Sequence, residues 1–219
     1  MAQPETKERI LDAAERLFSD LGIRGVSLRA ITTAARANLA AVNYHFGSKD
    51  ELIKAVLARR IEPVNTVRLQ RLAELTAGDA VAELEDVLDA LLRPAFELAS
   101  DPDAGAFCTR LIGRVQTEAD QTFREFCAEQ FQDVAERFTA AIAAACPQLE
   151  PRELAWRFQF MIGSMSFTLT DALDLHTRSG GLCDPHDADD ATEQLVRFAA
   201  AGFRAPIGQK NQAGQENTA

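Results

Sequence analysis

Over the first 21 positions apolar residues recur three and four apart. Ile10, Leu11, Ala14, Leu17, Phe18 and Leu21 share one stripe, and Lys7, Glu8, Asp12, Glu15 and Arg16 fall largely outside it. That is the period of an amphipathic helix, predicted over residues 5–21 with Gly22 placed to stop it. Ser27 precedes the run Leu28, Ala30, Ile31 and Ala34 and has the chemistry of an N-cap, so a short helix is predicted over 28–35. Arg36-Ala37-Asn38 reads as a turn in which the Asn38 side-chain oxygen caps the next helix, 39–46. Gly47 ends that helix, and Ser48 caps a longer one with Asp50 and Glu51 in its first turn, where the helix dipole favours acids.

Helical periodicity then continues to about residue 76, with Pro63 marking either a kink or a boundary between two helices. Further helices are predicted near 80–99, 107–117, 121–145, 151–175 and 188–203. The breaks between them are explicit, among them Ser100-Asp101-Pro102-Asp103, Cys146-Pro147, Ser179-Gly180-Gly181 and Asp184-Pro185. No strand pattern and no internal repeat occurs. The predicted class is all-α, in three parts: a three-helix unit over 1–48, a helical body over 49–204 and a polar, disordered tail over 205–219. Two short helices joined by about three residues and preceded by a longer helix have the layout of a helix-turn-helix.

Charge changes the picture more than composition does. The 219-residue chain is 47 % apolar, enough for a substantial core, and carries a net charge of −10. Residues 1–60, however, hold ten Lys and Arg against seven Asp and Glu, whereas residues 61–219 hold thirteen against twenty-six. The first quarter can approach a polyanion and the remainder is repelled by one. The N-terminus has no secretory pattern and no apolar run reaches membrane-spanning length, so a cytoplasmic protein without membrane attachment is expected.

Candidate chemistry is sparse. Cys108, Cys127, Cys146 and Cys183 form no CxxC pair and read as buried reduced thiols. The Cys183-Asp184-Pro185-His186 segment supplies two obvious ligands, too few for a metal site. His45 has no nucleophile or carboxylate arranged beside it. No catalytic residue, metal or cofactor is expected. The segment LAAVNYHFGSKDEL instead divides by position. Leu39, Val42 and Phe46 form a packing side. Ala40 and Ala41 are small enough for close approach to a thymine methyl, Asn43 can pair with adenine, and Tyr44 can reach a phosphate. Asn38 and His45 flank that surface, and Ser27, Arg29 and Lys49 can hold phosphates.

With ILDAAERLF, GIRGVSLRAITTAARANLAAVNYHFGSKDEL and above all Tyr44-His45-Phe46 followed by Ser48-Lys49 and Leu52, residues 5–56 resemble the N-terminal domain of the TetR family of transcriptional regulators. The resemblance implies a symmetric homodimer on a pseudo-palindromic double-stranded DNA site, with contacts from Ser27, Arg29, Ala40, Ala41, Asn43, Tyr44, His45 and Lys49. It also implies repression relieved by a ligand. Two positions depart from the family's habit: Arg36 stands where a turn glycine is usual, and Asn43 where a tyrosine is usual.

In the helical body, Trp156 to Leu169 is apolar on all sides, which predicts burial on all sides, one of them against a second subunit. The candidate walls of a ligand cavity are Phe107, Leu111, Val115, Phe126, Phe160, Ser164 and Phe167, with Arg110 and Arg114 to meet an anionic head. The phrase NLAAVNYHFGSK and the Trp156–Gly163 segment resemble the fatty-acid-responsive PsrA-like branch, which implies a fatty acid or acyl-CoA as the hydrophobic effector. The alternatives are a different hydrophobic or aromatic effector, or a helical adaptor without ligand control.

Overall fold

Among the residues that the computed structural model describes (5–23, 25–78, 80–101, 105, 121–170 and 172–206), every regular element is a helix. In chain order these are α1 (Thr6–Leu21), α2 (Leu28–Ala34), α3 (Leu39–Phe46), α4 (Lys49–Leu75), α5 (Leu84–Ala99), α6 (Gln121–Ala145), α7 (Pro151–Thr170), α8 (Ala172–Arg178) and α9 (Ala188–Arg204). The helix expected at 107–117 and the tail from 207 onward lie outside the described residues. The segment expected as 80–99 starts only at Leu84, and the one expected as 151–175 covers α7 and the first residues of α8, with residue 171 between them outside the described residues.

Three side chains set the starts of the first helices. Ser27 Oγ accepts from the Ala30 N–H at 3.2 Å, Asn38 Oδ1 from the Ala41 N–H at 2.8 Å, and Ser48 Oγ from the Glu51 N–H at 3.1 Å. Each satisfies one of the donors that a helix N-terminus leaves unpaired. A cap of this kind is worth about 1 kcal/mol. That matters for α2 and α3, which are far too short to be stable in isolation.

Two cores hold the helices. Ile10, Phe18, Ile31, Val42, Leu52 and Val56 are fully buried in the first, which joins α1, α2, α3 and the beginning of α4. In the second, Leu88, Leu92, Phe96, Phe138, Ile142 and Phe203 bring together α5, α6 and α9, with α7 along one side. Each large side chain so buried contributes about 1.5–3 kcal/mol. The C-terminal end of α9 is held from two directions: Arg204 pairs with Glu85 of α5, and Arg157 Nη1 of α7 lies 2.8–2.9 Å from the carbonyl oxygens of Gly202, Phe203 and Ala205.

Pro63 marks no boundary, since α4 runs through it as one helix of 27 residues. Proline removes one backbone hydrogen bond from a helix interior and costs about 3 kcal/mol there. Packing on both sides of it outweighs that cost. Leu52, Ile53, Val56 and Leu57 are buried before it, and Asn65, Arg68 and Leu72 after it.

The turn between α2 and α3 explains the unusual Arg36. The Ala37 N–H donates to Thr32 O at 2.9 Å and the Arg36 N–H to Thr33 O at 3.2 Å. These paired bonds are those of a Schellman cap, which places one residue in the left-handed region. That residue is Arg36, with φ of 50°. Arg9 Nε reaches over from α1 to donate to Ala35 O at 3.3 Å, so the turn is clasped to the first helix. A left-handed residue with a Cβ is strained by about 1–2 kcal/mol, and the entropy that glycine adds to the unfolded chain offsets about 0.5–1 kcal/mol of its advantage. Arg36→Gly is therefore expected to stabilise the fold by roughly 0.5–1 kcal/mol in urea denaturation. A variant no more stable than the parent would show that the turn carries no such strain.

Candidate nucleic-acid interface and cavity

On α3 one residue does the anchoring. Val42 is fully buried in the first core, with Ala41 and Phe46 packed partly against it. This fixes the rotation of the helix, so Ala40, Asn43 and Tyr44 face solvent, and Tyr44 is 85 % exposed. The Tyr44 ring is supported edge-on by His45, with centroids 5.0 Å apart. His45 is half-buried, and its ring in turn lies 6.2 Å from that of Phe46.

The structure differs from the expected division of this segment at two positions. Leu39, assigned to the packing side, is 51 % exposed, because it opens the helix one turn away from the core anchor. Ala41, assigned to the reading side, is half-buried against the core. Ser27, Arg29, Asn38 and the strained Arg36 are all exposed around α3. Ser27 and Asn38 already spend a side-chain oxygen as caps, which leaves the hydroxyl hydrogen of one and the amide N–H groups of the other to donate. Lys49 is half-buried, and its Nζ donates to Ile23 O at 2.9 Å, latching the α1–α2 connection to the start of α4.

The helical body contains a cavity of about 380 Å³. It is bounded by α4 through Leu57, Ile61 and Arg68, by α5 through Leu91 and Leu98, by α6 through Phe131 and by α7 through Ile162. None of Phe126, Phe160, Ser164 and Phe167 is among its walls. Phe126 packs against the first core, with Lys54 Nζ 6.0 Å from its ring centroid. Ser164 lines a second hollow, of about 290 Å³, beside Phe198. Phe160 and Phe167 stand 62 % and 63 % exposed. Phe107, Arg110, Leu111, Arg114 and Val115 lie outside the described residues.

Burial of the Trp156–Leu169 segment on all sides does not hold within one chain. Trp156, Phe160, Gly163 and Phe167 follow one another at intervals of four, three and four, hence on one side of α7, and that side is bare. Among the cysteines, Cys146 is buried, Cys127 half-buried and Cys183 exposed, while Cys108 lies outside the described residues. Burial raises the thiol pKa of Cys127 and Cys146 above the ordinary value. No cluster of three potential metal ligands, and no helix long and apolar enough to cross a membrane, occurs among the described residues.

A helix-turn-helix with a bare reading helix, followed by a hollow helical body, defines a class of regulatory protein. Residues 10–56 match the family "Bacterial regulatory proteins, tetR family", and residues 89–202, a little over half of the chain, match "Tetracyclin repressor-like, C-terminal domain". The protein belongs to the tetR family, whose members are transcriptional regulators and not enzymes.

Among curated relatives, the chain is 32 % identical over 84 residues to the HTH-type transcriptional regulator AcrR of Shigella flexneri, covering 38 % of this chain and 39 % of that one. It is 38 % identical over 58 residues to the HTH-type nicotine-responsive transcriptional repressor HdnoR of Paenarthrobacter nicotinovorans, covering 26 % and 30 %. These matches span well under half the length of either relative.

Likeness of fold extends further. The fatty acid degradation regulator FadR of Bacillus halodurans superposes with a TM-score of 0.67 at 13 % identity, over 94 % of this chain and 100 % of that one. FadR of Bacillus subtilis, in complex with stearoyl-CoA, gives 0.67 at 12 % identity, over 89 % and 98 %.

The Lys49 latch is open to a direct check. Lys49→Met keeps the stem and removes the charged donor, leaving the Ile23 carbonyl without that partner. A loss of about 1–2 kcal/mol is expected in urea denaturation, and an unchanged midpoint would mean that the bond contributes nothing to the head.

Proposed function

We propose that the protein is a cytoplasmic, homodimeric, DNA-binding transcriptional repressor that a hydrophobic small molecule releases from a pseudo-palindromic operator. The observation that carries this reading is the solvent face of α3, where Ala40, Asn43 and the 85 % exposed Tyr44 stand clear of the core while Val42 plugs it. In this reading α3 enters the major groove, Asn43 is an amide reader and Tyr44 contacts the backbone. Ser27, Arg29, Arg36 and Asn38 supply neighbouring phosphate contacts. Ala40 lies close to the bases, with Ala41 and His45 behind it as support, and Lys49 offers its remaining donors beside the amides that open α4.

The proposed second copy sits on the bare side of α7 together with Phe198 of α9, which is 67 % exposed. Gly163 supports this. Glycine costs about 1 kcal/mol in a helix interior relative to alanine, yet a Cβ there would meet nothing within 4 Å in its own chain. Close approach of another helix gives the residue a purpose. Pairing also places two reading helices on half-sites about 34 Å apart, which multiplies a weak single contact.

A fatty acid or acyl-CoA is the first choice of effector, on the resemblance to the fatty-acid-responsive branch. The FadR structures, one of which holds stearoyl-CoA, support the same choice by fold. Leu57 is both a wall of the cavity and a member of the first core. A molecule in the cavity thus bears on the packing of the reading head, and its effect equals its difference in affinity between the two conformers.

Band shifts on the pseudo-palindromic DNA that flanks the coding region test these statements. Tyr44→Ala is expected to weaken binding by about tenfold, roughly 1.4 kcal/mol. Arg36→Gly is expected to flatten the salt dependence by about 0.9 for each phosphate that is no longer neutralised, or about two for a dimer. Phe160→Glu should give a monomer in sedimentation and abolish the shift. Binding indifferent to all three substitutions would refute the DNA-reading proposal, and binding unchanged across a panel of hydrophobic ligands would refute release.

A further inference from the structure

We infer that the cavity takes the ionised head of a monocarboxylate inward onto Arg68, with a medium-length apolar tail along its walls, so that the effector is a free carboxylic acid and not its coenzyme A thioester. The inference rests on the cavity being the effector site proposed above.

Arg68 is only 4 % exposed and forms part of the cavity wall. Its acceptors are all neutral. Nε donates to Leu91 O at 2.7 Å, Nη1 to Asn65 Oδ1 at 3.3 Å, and Nη2 faces the thioether sulfur of Met165 at 3.9 Å. Among the described residues no carboxylate pairs with it, whereas Arg59, Arg60, Arg71, Arg93, Arg157 and Arg204 each meet an acid. Burial pushes the Arg68 guanidinium down to about 10, so it is still a cation at neutral pH.

A buried cation without a counter-charge is a poor packing residue, and an apolar side chain of similar volume would serve the core better. Its retention makes sense if an anion completes it. A guanidinium presents a planar fork of donors that matches a carboxylate bidentately. Asn65 fixes the guanidinium: its Oδ1 accepts from Nη1, and its amide donates to Gln130 O at 2.7 Å, which ties α4 to α6.

Charge and size narrow the ligand. Among the described residues the other cation on the wall, Arg60, is already engaged by Glu15, which leaves Arg68 as the positive charge there without an acid and matches it to one negative charge. The surrounding walls are apolar, with Leu57, Ile61, Leu98, Phe131, Phe158 and Ile162 among them. A volume of about 380 Å³ has room for at least about a dozen groups of roughly 30 Å³ each. Decanoate has that many heavy atoms. A coenzyme A moiety carries multiple phosphate charges, for which the described walls offer no unpaired cation besides Arg68.

Calorimetric titration of the full-length protein without DNA, using decanoate, decanol, decanoyl-CoA and the dicarboxylate decanedioate, tests the inference. Decanoate should bind at least tenfold more tightly than each of the others. Arg68→Met, which removes the charge and keeps an apolar side chain of similar length, should still fold cooperatively and reverse the preference to decanol over decanoate. Wild-type protein that binds decanol or decanoyl-CoA as tightly as decanoate overturns the inference whatever the variant does. A folded Arg68→Met protein with unchanged decanoate affinity overturns it as well.

Release from DNA is a separate readout. Decanoate binding that depends on Arg68 but leaves the operator complex intact upholds this site and refutes effector release. Release by another hydrophobic ligand, equal in wild type and Arg68→Met, upholds release and refutes this site.

Discussion

The rest of the structure depends on α4 being one unbroken helix that is built into two cores. Leu52, Ile53, Val56 and Leu57 are packed among α1, α2 and α3, and Asn65, Arg68 and Leu72 are packed in the body. At about 1.5 Å per residue, Leu52 and Arg68 are about 24 Å apart along a single rigid element. A second tie runs beside the first. Glu15 of α1, nearly buried, accepts from both Arg59 and Arg60, and Arg59 also reaches Asp12 at 2.7 Å. The head is therefore coupled to the helix that walls the cavity. Packed cores switch between discrete arrangements more readily than they deform, so in the proposed release a ligand in the cavity would act on the pose of α3 as a whole.

That pose is determined by few contacts, which is what an element meant to read another molecule requires. With eight residues α3 has little intrinsic stability. It is held by the Asn38 cap, the Val42 plug and the strained turn at Arg36, itself clasped by Arg9. The outward residues are consequently free of structural duty. Lys49 is not, because its bond to Ile23 O makes it part of the frame.

Much of the head is legible in the sequence because its signals are local. The caps at Ser27, Asn38 and Ser48 act on N–H groups three residues away, and the family departure at Arg36 falls on the residue that does adopt positive φ. Legibility ends where a residue's role depends on a distant partner. Pro63 reads as a break, and only packing on both of its flanks keeps α4 whole. Phe160 and Phe167 read as cavity walls because periodicity reports that a helix is apolar all round without reporting what covers each side. Arg68 looks the same in the sequence as its charged neighbours Arg59, Arg60 and Arg71. A sequence does not reveal which arginine in a run is buried without an acid and which meet acids nearer the surface.

The segregation of charge along the chain constrains how such a molecule can meet DNA. Residues 61–219, with thirteen Lys and Arg against twenty-six Asp and Glu, would oppose any broadside approach to a duplex. At physiological ionic strength the Debye length is about 8 Å. In the proposed docking, contacts made directly by Arg29, Arg36 and the start of α4 would be felt in full, whereas acidic groups more than a Debye length from the duplex would be largely screened. The acidic body would thus cost little affinity in the proposed head-on pose and penalise every other pose, so that the charge imbalance itself would favour the orientation in which α3, with Asn43 and Tyr44, faces the groove.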